Sequence, residues 1–391
     1  MELLSDLWVI FQFVVGYNLV LPIILFLWWR FSRRSASPEI GGVPGDYAII
    51  VTAFRQTDLL PAVVNSILKL NNPNYLIYVV ADDCDVSSLE FSDPRVVLLR
   101  PPTLLASNTR SHFYAIDRFE RAHNRLLIID SDNILESTLL DELDRYFASG
   151  YVAVQGVRKA KNLDSTIACL DAARDMYYHF YDGKVLFELG SSATLAGSGM
   201  AFTVELYKEC LGQMDITGAG FDKVLQAEIL KRNLRIAFNE KAIVFDEKTS
   251  QSTQLVNQRA RWINTWFKYF TFGFQIFGLG LRNASKNQLL MGVVLLRPPL
   301  FMFIIISGLC MFIGVFTSLL AATLWAVAFL LFFIGFYIAL RYSNADSRIF
   351  NSLQGIPKFI LYQLISLVKS KRANENSIAT IHYHKDHPEQ Q

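Results

Sequence analysis

The chain has 391 residues, of which 52% are hydrophobic, more than the roughly 45–50% usual in soluble proteins, so we expect part of it to lie in lipid. Its formal net charge of +2 excludes the strong overall basic field that is typical of nucleic-acid-binding proteins. The cysteines are far apart and form no CxxC pair, which argues against a zinc knuckle or disulfide framework and fits a reducing compartment: Cys84, Cys169, Cys210 and Cys310.

The first predicted element is a membrane anchor at residues 7–29. This stretch is almost entirely apolar and long enough to cross roughly 30 Å of hydrocarbon as a helix. Acidic residues precede it and basic residues follow it, unlike a cleaved signal peptide, which begins with a basic segment. They are Glu2 and Asp6 before it, and Arg30, Arg33 and Arg34 after it. Because basic residues favour the cytoplasmic side, the amino terminus is predicted to lie outside.

The next part of the chain is predicted to alternate between strands and helices. Apolar, β-rich runs occur at residues 46–54, 75–81, 95–99, 125–129 and 151–155. Helical spacing occurs at residues 58–70, 111–122 and 139–148. This alternation predicts a mostly parallel, doubly wound sheet, in which ligands bind at the carboxyl ends of the strands.

Acidic residues directly follow two of these strands. The second strand is followed by Asp82, Asp83 and Asp85, and the fourth by Asp130-Ser131-Asp132, a DxD motif. Protein sites for Mg²⁺ commonly combine one or two carboxylates with water and substrate phosphates. Asp130 and Asp132 are therefore candidate metal ligands. Taken alone, acidic pairs at strand ends are also typical of helix caps and turns.

Two further membrane spans are predicted at residues 289–316 and 319–340. Basic residues follow them, so the hairpin is expected to return the chain to the cytoplasm and to leave residues 35–286 cytoplasmic. These basic residues are Arg341, Arg348 and Lys358. Arg297, before a double proline, is interpreted as a kinked span end near the interface; the alternative is a polar lining for a saccharide path.

Other segments near the carboxyl end are interpreted as peripheral. Aromatic residues at 262–274 and the amphipathic stretch at 357–368 are predicted to lie in the headgroup zone. The late histidines are expected to belong to a solvated tail and are given no role: His382, His384 and His387.

Six short motifs occur in one order within residues 47–269. They are Ile49-Ile50-Val51-Thr52-Ala53-Phe54, Asp82-Asp83, Asp130-Ser131-Asp132, Gly197-Ser198-Gly199-Met200-Ala201-Phe202, Gly220-Phe221-Asp222 and Gln258-Arg259-Ala260-Arg261-Trp262. The series resembles the membrane-bound family 2 glycosyltransferases of the cellulose, chitin and hyaluronan synthase type. The last motif, QxxRW, is the most specific, and in that family it accompanies enzymes that make β-linked polymers or oligomers.

The resemblance implies the GT-A, or nucleotide-diphospho-sugar transferase, fold: a Rossmann-like mixed α/β sheet with helices on both faces, here with transmembrane and interfacial helices. With the predicted spans, it divides the chain into five parts. These are an anchor (1–34), a cytoplasmic catalytic domain (35–257), the QxxRW and interfacial helix (258–287), a transmembrane hairpin (288–341), and an interfacial helix with the tail (342–391).

The resemblance also implies roles for individual residues. Asp222 would be the catalytic base, and Asp130 and Asp132 would hold a Mg²⁺ or Mn²⁺ ion that binds the diphosphate. Asp82 or Asp83 would contact uracil. The residues implied to bind the nucleotide are Thr52, Ala53, Asp82, Asp83, Arg110, Asp130, Gln258, Arg261 and Trp262. Those implied to bind the acceptor are Gly197, Ser198, Gly199 and Trp262.

Several of these roles have alternatives. The Gly197 and Gly199 pair also fits a tight turn or bulge, and Arg261 with Trp262 also fits the anchor of an interfacial helix. Gly220-Phe221 stands where the family usually has Thr-Glu, so only the aspartate of that motif is kept. Arg110 stands where many relatives have lysine. Helical spacing at 225–230 and a strand at 235–238 follow, as in the family.

The predicted function is inverting transfer of a sugar from a UDP-sugar to the growing end of a β-linked oligo- or polysaccharide, on the cytoplasmic face of the cell membrane. Single addition to a lipid-linked acceptor, or a non-catalytic role in a polysaccharide export complex, are the alternatives. The expected partners are the UDP-sugar, a saccharide or glycolipid acceptor and the bilayer, with no nucleic acid. Because three spans are few for a conduit, export through another protein or through combined subunits is expected.

Overall fold

A computed structural model describes residues 2–32 and 44–374 of the chain, and its strands form a single sheet. Arg33, Arg34 and the three late histidines lie outside the described residues. The strands are β1 (Tyr47–Phe54), β2 (Tyr75–Asp82), β3 (Val96–Leu99), β4 (Arg125–Asp130), β5 (Ile134–Leu135), β6 (Ala153–Ala160), β7 (Met200–Thr203) and β8 (Ala237–Asp246).

The order of strands across the sheet is β3-β2-β1-β4-β7-β6-β8-β5. The first four are parallel, β7 is antiparallel to both of its neighbours, and β5 is antiparallel to β8. The sheet is therefore mixed, as the resemblance implies, rather than mostly parallel throughout.

The middle of the sheet is held together by β1 and β2, whose residues are almost all buried. Such continuous apolar runs are typical of parallel strands that are covered on both faces. In the register of the sheet, Thr52 of β1 lies beside Asp130 of β4, and Phe54 lies beside Asp82 of β2. The pairing therefore brings the carboxyl ends of three strands, with their acidic residues, to one edge.

Several predicted elements differ from the structure in their bounds. The strand expected at residues 151–155 is β6, which begins and ends later, and the strand expected at 235–238 continues to Asp246. The helix expected at 111–122 occupies Asn108–Ile116, where Ser107 caps its amino end by accepting from the Arg110 backbone N–H. Strand pairing and capping contacts determine where these strands and helices begin and end, and hydropathy alone does not predict such contacts.

The helices before the QxxRW motif are α1 (Glu2–Phe31), α2 (Leu60–Ile67), α3 (Asn108–Ile116), α4 (Leu139–Ala148), α5 (Thr166–Tyr178), α6 (Leu186–Glu188), α7 (Val204–Leu211) and α8 (Phe221–Lys231), with a π-helix at His179–Val185. The later helices are α9 (Ser252–Tyr269), α10 (Phe272–Arg282), α11 (Lys286–Leu296), α12 (Leu300–Thr317), α13 (Leu319–Tyr342), α14 (Ser347–Ser352) and α15 (Ile356–Lys369).

Three helices among the described residues are long and apolar enough to cross a membrane, over Leu3–Phe31, Leu300–Thr317 and Leu319–Tyr342. The apolar stretch predicted as one span at 289–316 is divided by Arg297, Pro298 and Pro299 into α11 and α12. Proline lacks a backbone N–H and disfavours helix in the residue before it, which explains the break. The candidate second span therefore begins at Leu300.

The segment from α5 to α6 joins the sheet domain to the three candidate membrane-spanning helices. The Trp29 indole of α1 donates to Glu188 at 2.6 Å, and the Tyr181 hydroxyl donates to the backbone carbonyl of Gly335 in α13 at 2.8 Å. Arg297 forms a buried ion pair with Asp182 of the π-helix. These polar contacts fix the orientation of the sheet domain relative to α1, α12 and α13.

Candidate functional site

Asp82 lies at the end of β2 and is buried. Its two carboxylate oxygens accept the backbone N–H groups of Leu105 at 2.9 Å and Ala106 at 2.7 Å. The carboxylate therefore holds the loop before α3 against the edge of the sheet. Of the two acidic residues predicted to contact uracil, this one already has backbone donors on both oxygens.

Asp83 adopts a left-handed backbone conformation, with φ of 53°, and its half-exposed carboxylate pairs with Arg55 at 2.7 Å. It borders an open cleft of about 560 Å³. The cleft is lined by Asp83, Cys84, Asp85, Arg100, Pro101, Pro102, Thr103 and Leu104. Arg100 and Asp85 were not among the predicted site residues, because neither belongs to a recognisable motif.

The glycine-rich motif at residues 197–202 stabilises the DxD turn through hydrogen bonds. The Asp130 backbone N–H donates to the Ser198 hydroxyl at 3.1 Å, and that hydroxyl donates to Asn133. Ser198 is fully buried, and the Gly199 N–H donates to the Ile128 carbonyl at 3.0 Å. Gly197, with φ of 89°, has open space where a side chain would lie. The motif predicted to approach an acceptor therefore also positions the DxD turn.

Three other carboxylates lie near Asp130. Burial and the neighbouring charge of Asp132 raise the pKa of Asp130 to about 7, Arg158 opposes that shift, and the charges of Asp246 and Asp222 add to it. Sequence reasoning missed Asp246, because the strand that it ends was placed too short. Its position at a strand end beside acidic neighbours is the signal that a longer strand would have revealed.

The donor set at the DxD motif suits a divalent ion that is shared with a phosphate. Asp132 accepts from its neighbour Asn133 at 3.0 Å, while the Asp130 carboxylate accepts no hydrogen bond from any residue in 2–32 or 44–374. Within those residues no group of three His, Cys, Asp or Glu side chains could hold a metal ion by itself. One or two carboxylates plus phosphate oxygens are the usual ligands of Mg²⁺ in such sites.

Asp222 lies in the first turn of α8, where the helix dipole favours a negative charge. Its carboxylate is 16% exposed and lies 3.2 Å from Lys223 Nζ. The helix begins after Gly220, whose φ of 104° is unfavourable for any residue with a side chain. Gly220 lies against Thr265 and Tyr269 of α9, so the start of the helix that carries Asp222 meets the QxxRW helix.

The QxxRW residues occupy the middle of α9. The guanidinium of Arg259 lies 4.0 Å from the Trp262 ring centroid, and that of Arg174 lies 4.5 Å from it. Arg261 is partly buried, which lowers its pKa. The Gln258 side-chain oxygen is buried and has no hydrogen-bond partner in the described part of the chain. The ring of Trp262, which is predicted to bind the acceptor, therefore lies beside two arginines for which the sequence predicted no role.

The predicted nucleotide ligands at the other end of the site are more dispersed. Thr52 lies at the carboxyl edge of the sheet, whereas Ala53 is buried. Arg110, in the first turn of α3, forms an exposed ion pair with Asp215 at 2.6 Å. Asp215 belongs to the loop that leads to Asp222, so Arg110 contacts that loop.

The comparison with family models decides the family. The model described as Glycosyltransferase like family 2 matches residues 44–265, more than half of the chain. The chain belongs to glycosyltransferase family 2. A search of the curated proteins found no match.

The fold of one solved structure agrees with this family 2 assignment, and a second is given for comparison. The mannosyltransferase PcManGT from Pyrobaculum calidifontis, in complex with GDP-Man and Mn²⁺, has a TM-score of 0.61 at 14% identity, over 92% of this chain and 97% of that one. S. aureus TarS 1–349 has a TM-score of 0.43 at 12% identity, over 84% and 90% of the two chains. The fold is GT-A, and the protein is a nucleotide-sugar transferase.

Proposed function

We propose that this family 2 glycosyltransferase transfers a sugar from a UDP-sugar to an acceptor hydroxyl, with inversion, at the cytoplasmic surface of a membrane. The observation that carries the proposal is the meeting of Asp130, Asp132 and Asp222 at the carboxyl edge of the sheet, beside the QxxRW helix. Such a junction would bring a donor diphosphate, a metal ion and an acceptor hydroxyl close together, which the transfer reaction requires.

Asp130 and Asp132 would hold Mg²⁺ or Mn²⁺ together with the donor diphosphate. Support comes from the burial of Asp130 beside the charge of Asp132, which together raise the pKa of Asp130, and the related fold of PcManGT is described with Mn²⁺ and GDP-Man. When bound, the ion supplies positive charge where the leaving diphosphate becomes more negative. The chain's own contribution is to hold the DxD turn in place: Ser198 accepts from the Asp130 backbone N–H, and Asn133 donates to the Asp132 carboxylate.

Asp222 would accept the proton of the attacking hydroxyl. A general base must be partly accessible and lie within hydrogen-bond reach of the acceptor, and Asp222 is 16% exposed at a helix start. Inversion follows from a single displacement, in which the hydroxyl attacks from the side opposite the diphosphate. Arg261 and Arg110 would lie on the diphosphate side, and Trp262 on the acceptor side.

The base of the nucleotide would occupy the cleft beside Asp83. Its carboxylate can accept the N3–H of uracil once Arg55 is displaced or shared, and Arg100 can donate to a carbonyl oxygen. PcManGT is described with a guanine nucleotide, so UDP and GDP are the two donors to compare first.

Two acceptor classes follow from different observations. The QxxRW motif favours a β-linked oligo- or polysaccharide, as in the synthases that the sequence resembles. The membrane helices favour single addition to a lipid-linked acceptor, because large side chains fill the space between α1, α12 and α13 in the described residues: Leu19, Trp29, Phe303, Trp325 and Phe332. A polymer made here would therefore leave through another subunit or protein.

The test is a panel of UDP- and GDP-sugars with purified full-length protein, with Mn²⁺ or Mg²⁺, followed by mass analysis of the products. We expect nucleoside diphosphate release that needs the metal and falls about 10²–10⁴-fold in Asp222→Asn. Glu228→Gln, on the same helix and paired with Lys231 and Arg232, is the matched control. Unchanged turnover in Asp222→Asn would remove the base assignment, and a ladder of products would exclude single addition.

A further inference from the structure

The start of α8, the helix that carries Asp222, is joined to the 195–199 loop by two of its side chains. Lys223 Nζ donates to the Leu195 carbonyl at 2.8 Å, and the Leu195 N–H donates to Gln226 Oε1 at 2.7 Å. Residues three apart on a helix lie on one face, so Lys223 and Gln226 reach the loop together. Gln226 is fully buried. Both backbone polar groups of Leu195 are therefore bonded to α8.

The same loop is also joined to the DxD turn. The Ala196 N–H donates to Gln155 Oε1 at 2.9 Å, and Gln155 Nε2 donates to the Ser198 carbonyl at 3.1 Å. The Ser198 hydroxyl in turn accepts the Asp130 backbone N–H. The loop is therefore a hydrogen-bonded connection between the helix that carries Asp222 and the turn that carries Asp130.

Lys223 is also the charged neighbour of Asp222. Its Nζ lies 3.2 Å from Asp222 Oδ2, and the two side chains are 35% and 16% exposed. Consecutive residues on a helix do not normally face each other, but here the Leu195 carbonyl holds the ammonium on the Asp222 side. Among residues 2–32 and 44–374, Asp222 Oδ1 accepts no hydrogen bond, so this oxygen remains available to an acceptor hydroxyl.

The charge of Lys223 acts on a second carboxylate, Asp182 of the π-helix. Burial raises the pKa of the Asp182 carboxyl, and the charges of Arg297 and Lys223 oppose that shift. The Asp182 carbonyl accepts the Thr194 N–H at 2.9 Å, directly before the 195–199 loop. An exposed ion pair alone contributes little, but this ammonium is held by a carbonyl and by carboxylates on two sides. It therefore has the fixed position that is needed to orient Asp222.

We propose that Lys223 is a positioning residue of the transfer reaction, which directs the Asp222 carboxylate toward an acceptor at the 195–199 loop. The inference rests on the proposed function in one respect, that Asp222 is the base. The hydroxyl proton passes to Asp222, the hydroxyl oxygen bonds to the anomeric carbon, and the diphosphate leaves with the electron pair of the broken bond. Lys223 gives and takes no proton. An adjacent cation favours the ionised form of a carboxylate and does not strengthen a base, so the benefit of Lys223 comes from orientation.

The kinetic test is a mutant cycle of Lys223 and Asp222 in purified full-length protein, with the donor that the panel identifies. Lys223→Met removes the charge from a side chain of similar length. We expect it to lower kcat about 10–100-fold and to change the donor KM less than about twofold. In the Asp222→Asn background the same change should lower kcat less than about twofold, because no base remains to be directed. Lys231→Met, equally exposed on the same helix and paired with Glu228, is the matched control and should keep wild-type turnover.

Two kinetic outcomes would overturn the proposal. An equal loss from Lys223→Met in both backgrounds would show that Lys223 acts independently of Asp222. Turnover at or above the wild-type rate in Lys223→Met would show that the charge does not orient the base. If this variant folds poorly, Lys223→Gln removes the same charge and the same outcomes apply. Unchanged turnover in Asp222→Asn would instead count against the proposed function.

A measurement without turnover tests the contact between Lys223 and the loop. Loss of the hydrogen bond to the Leu195 carbonyl should speed amide hydrogen exchange of Leu195 and Ala196 about tenfold or more, whereas Lys231→Met should leave it unchanged. Equal exchange in Lys223→Met and wild type would mean that the ammonium does not hold the loop, and the proposal would fail. Because exchange needs neither donor nor acceptor, absence of sugar transfer by the wild type would refute the proposed function alone.

Discussion

A Cβ atom at Gly220 would lie only 2.6 Å from Cε2 of Tyr269, so the start of α8 and the end of α9 are in direct backbone-to-ring contact. This contact places the helix that carries Asp222 against the helix that carries QxxRW. Thr265 approaches the same position equally closely. Asp222 and Gln258, the nearest residues of the two motifs, are 36 residues apart in the sequence, yet at Gly220 their helices come into contact.

We expect Gly220→Ala to destabilise the protein and to lower turnover. The change adds a methyl group where there is no space and forces a positive φ on alanine. Gly150→Ala is the matched control, because Gly150 also has a positive φ but nothing within 4 Å of a Cβ atom. In thermal unfolding, Gly220→Ala should lower the free energy of unfolding by roughly 1–3 kcal/mol more than the control does. Equal losses in the two variants would mean that the contact between α8 and α9 can relax.

The buried ion pair between Asp182 and Arg297 should be costly to break from one side. Arg297→Gln leaves the Asp182 carboxylate buried without its cation. We expect this variant to lose about 3–5 kcal/mol of the free energy of unfolding. Asp182→Asn/Arg297→Gln should be more stable than the single Arg297 variant. Lys184→Gln is the control on the same π-helix, since its partner Glu240 is exposed and the pair should contribute less than about 1 kcal/mol. Additive losses in the double variant would contradict the pairing.

Stability should fall as the pH is lowered, in part through His112. Burial lowers the pKa of His112 to about 3, while in the unfolded chain it is about 6.5. As the pH falls, the unfolded state therefore binds a proton before the folded state does. Below about pH 6.5, this group lowers the free energy of unfolding by up to roughly 1.4 kcal/mol per pH unit. His112→Gln should reduce the difference in melting temperature between pH 7.5 and 5.5. Some dependence should remain, because burial also lowers the pKa of His123 and His179.

The metal assignment predicts a dependence of nucleotide binding on Asp132. With Mn²⁺ present, calorimetry should find UDP binding about tenfold or more weaker in Asp132→Asn, and a chelator should weaken wild type to the same level. Asp141→Asn, an exposed carboxylate in the first turn of α4, should bind UDP as wild type does. Metal-independent binding in wild type would remove Asp130 and Asp132 from the metal site.

Much of the sheet could be predicted because its strands are local apolar runs. The strands β1, β2 and β4 are continuous apolar runs, and polar residues follow each of them. Asp82 and Asp130 were therefore placed correctly at strand ends. The number of apolar spans followed in the same way, from length and composition. The motif order then indicated family 2, which the family comparison confirms.

What the sequence by itself determined is therefore the local pattern: apolar runs, acidic strand ends, three candidate spans and the motif series. The tertiary structure decided which distant groups meet, including Arg297 with Asp182, Arg259 with Asp171, and Asp246 with Asp130. Hydropathy describes whether a residue prefers water, and its pattern is evaluated over residues that are neighbours in the sequence. An ion pair depends on the distance between two side chains that can be more than 80 residues apart, and only the folded chain sets that distance.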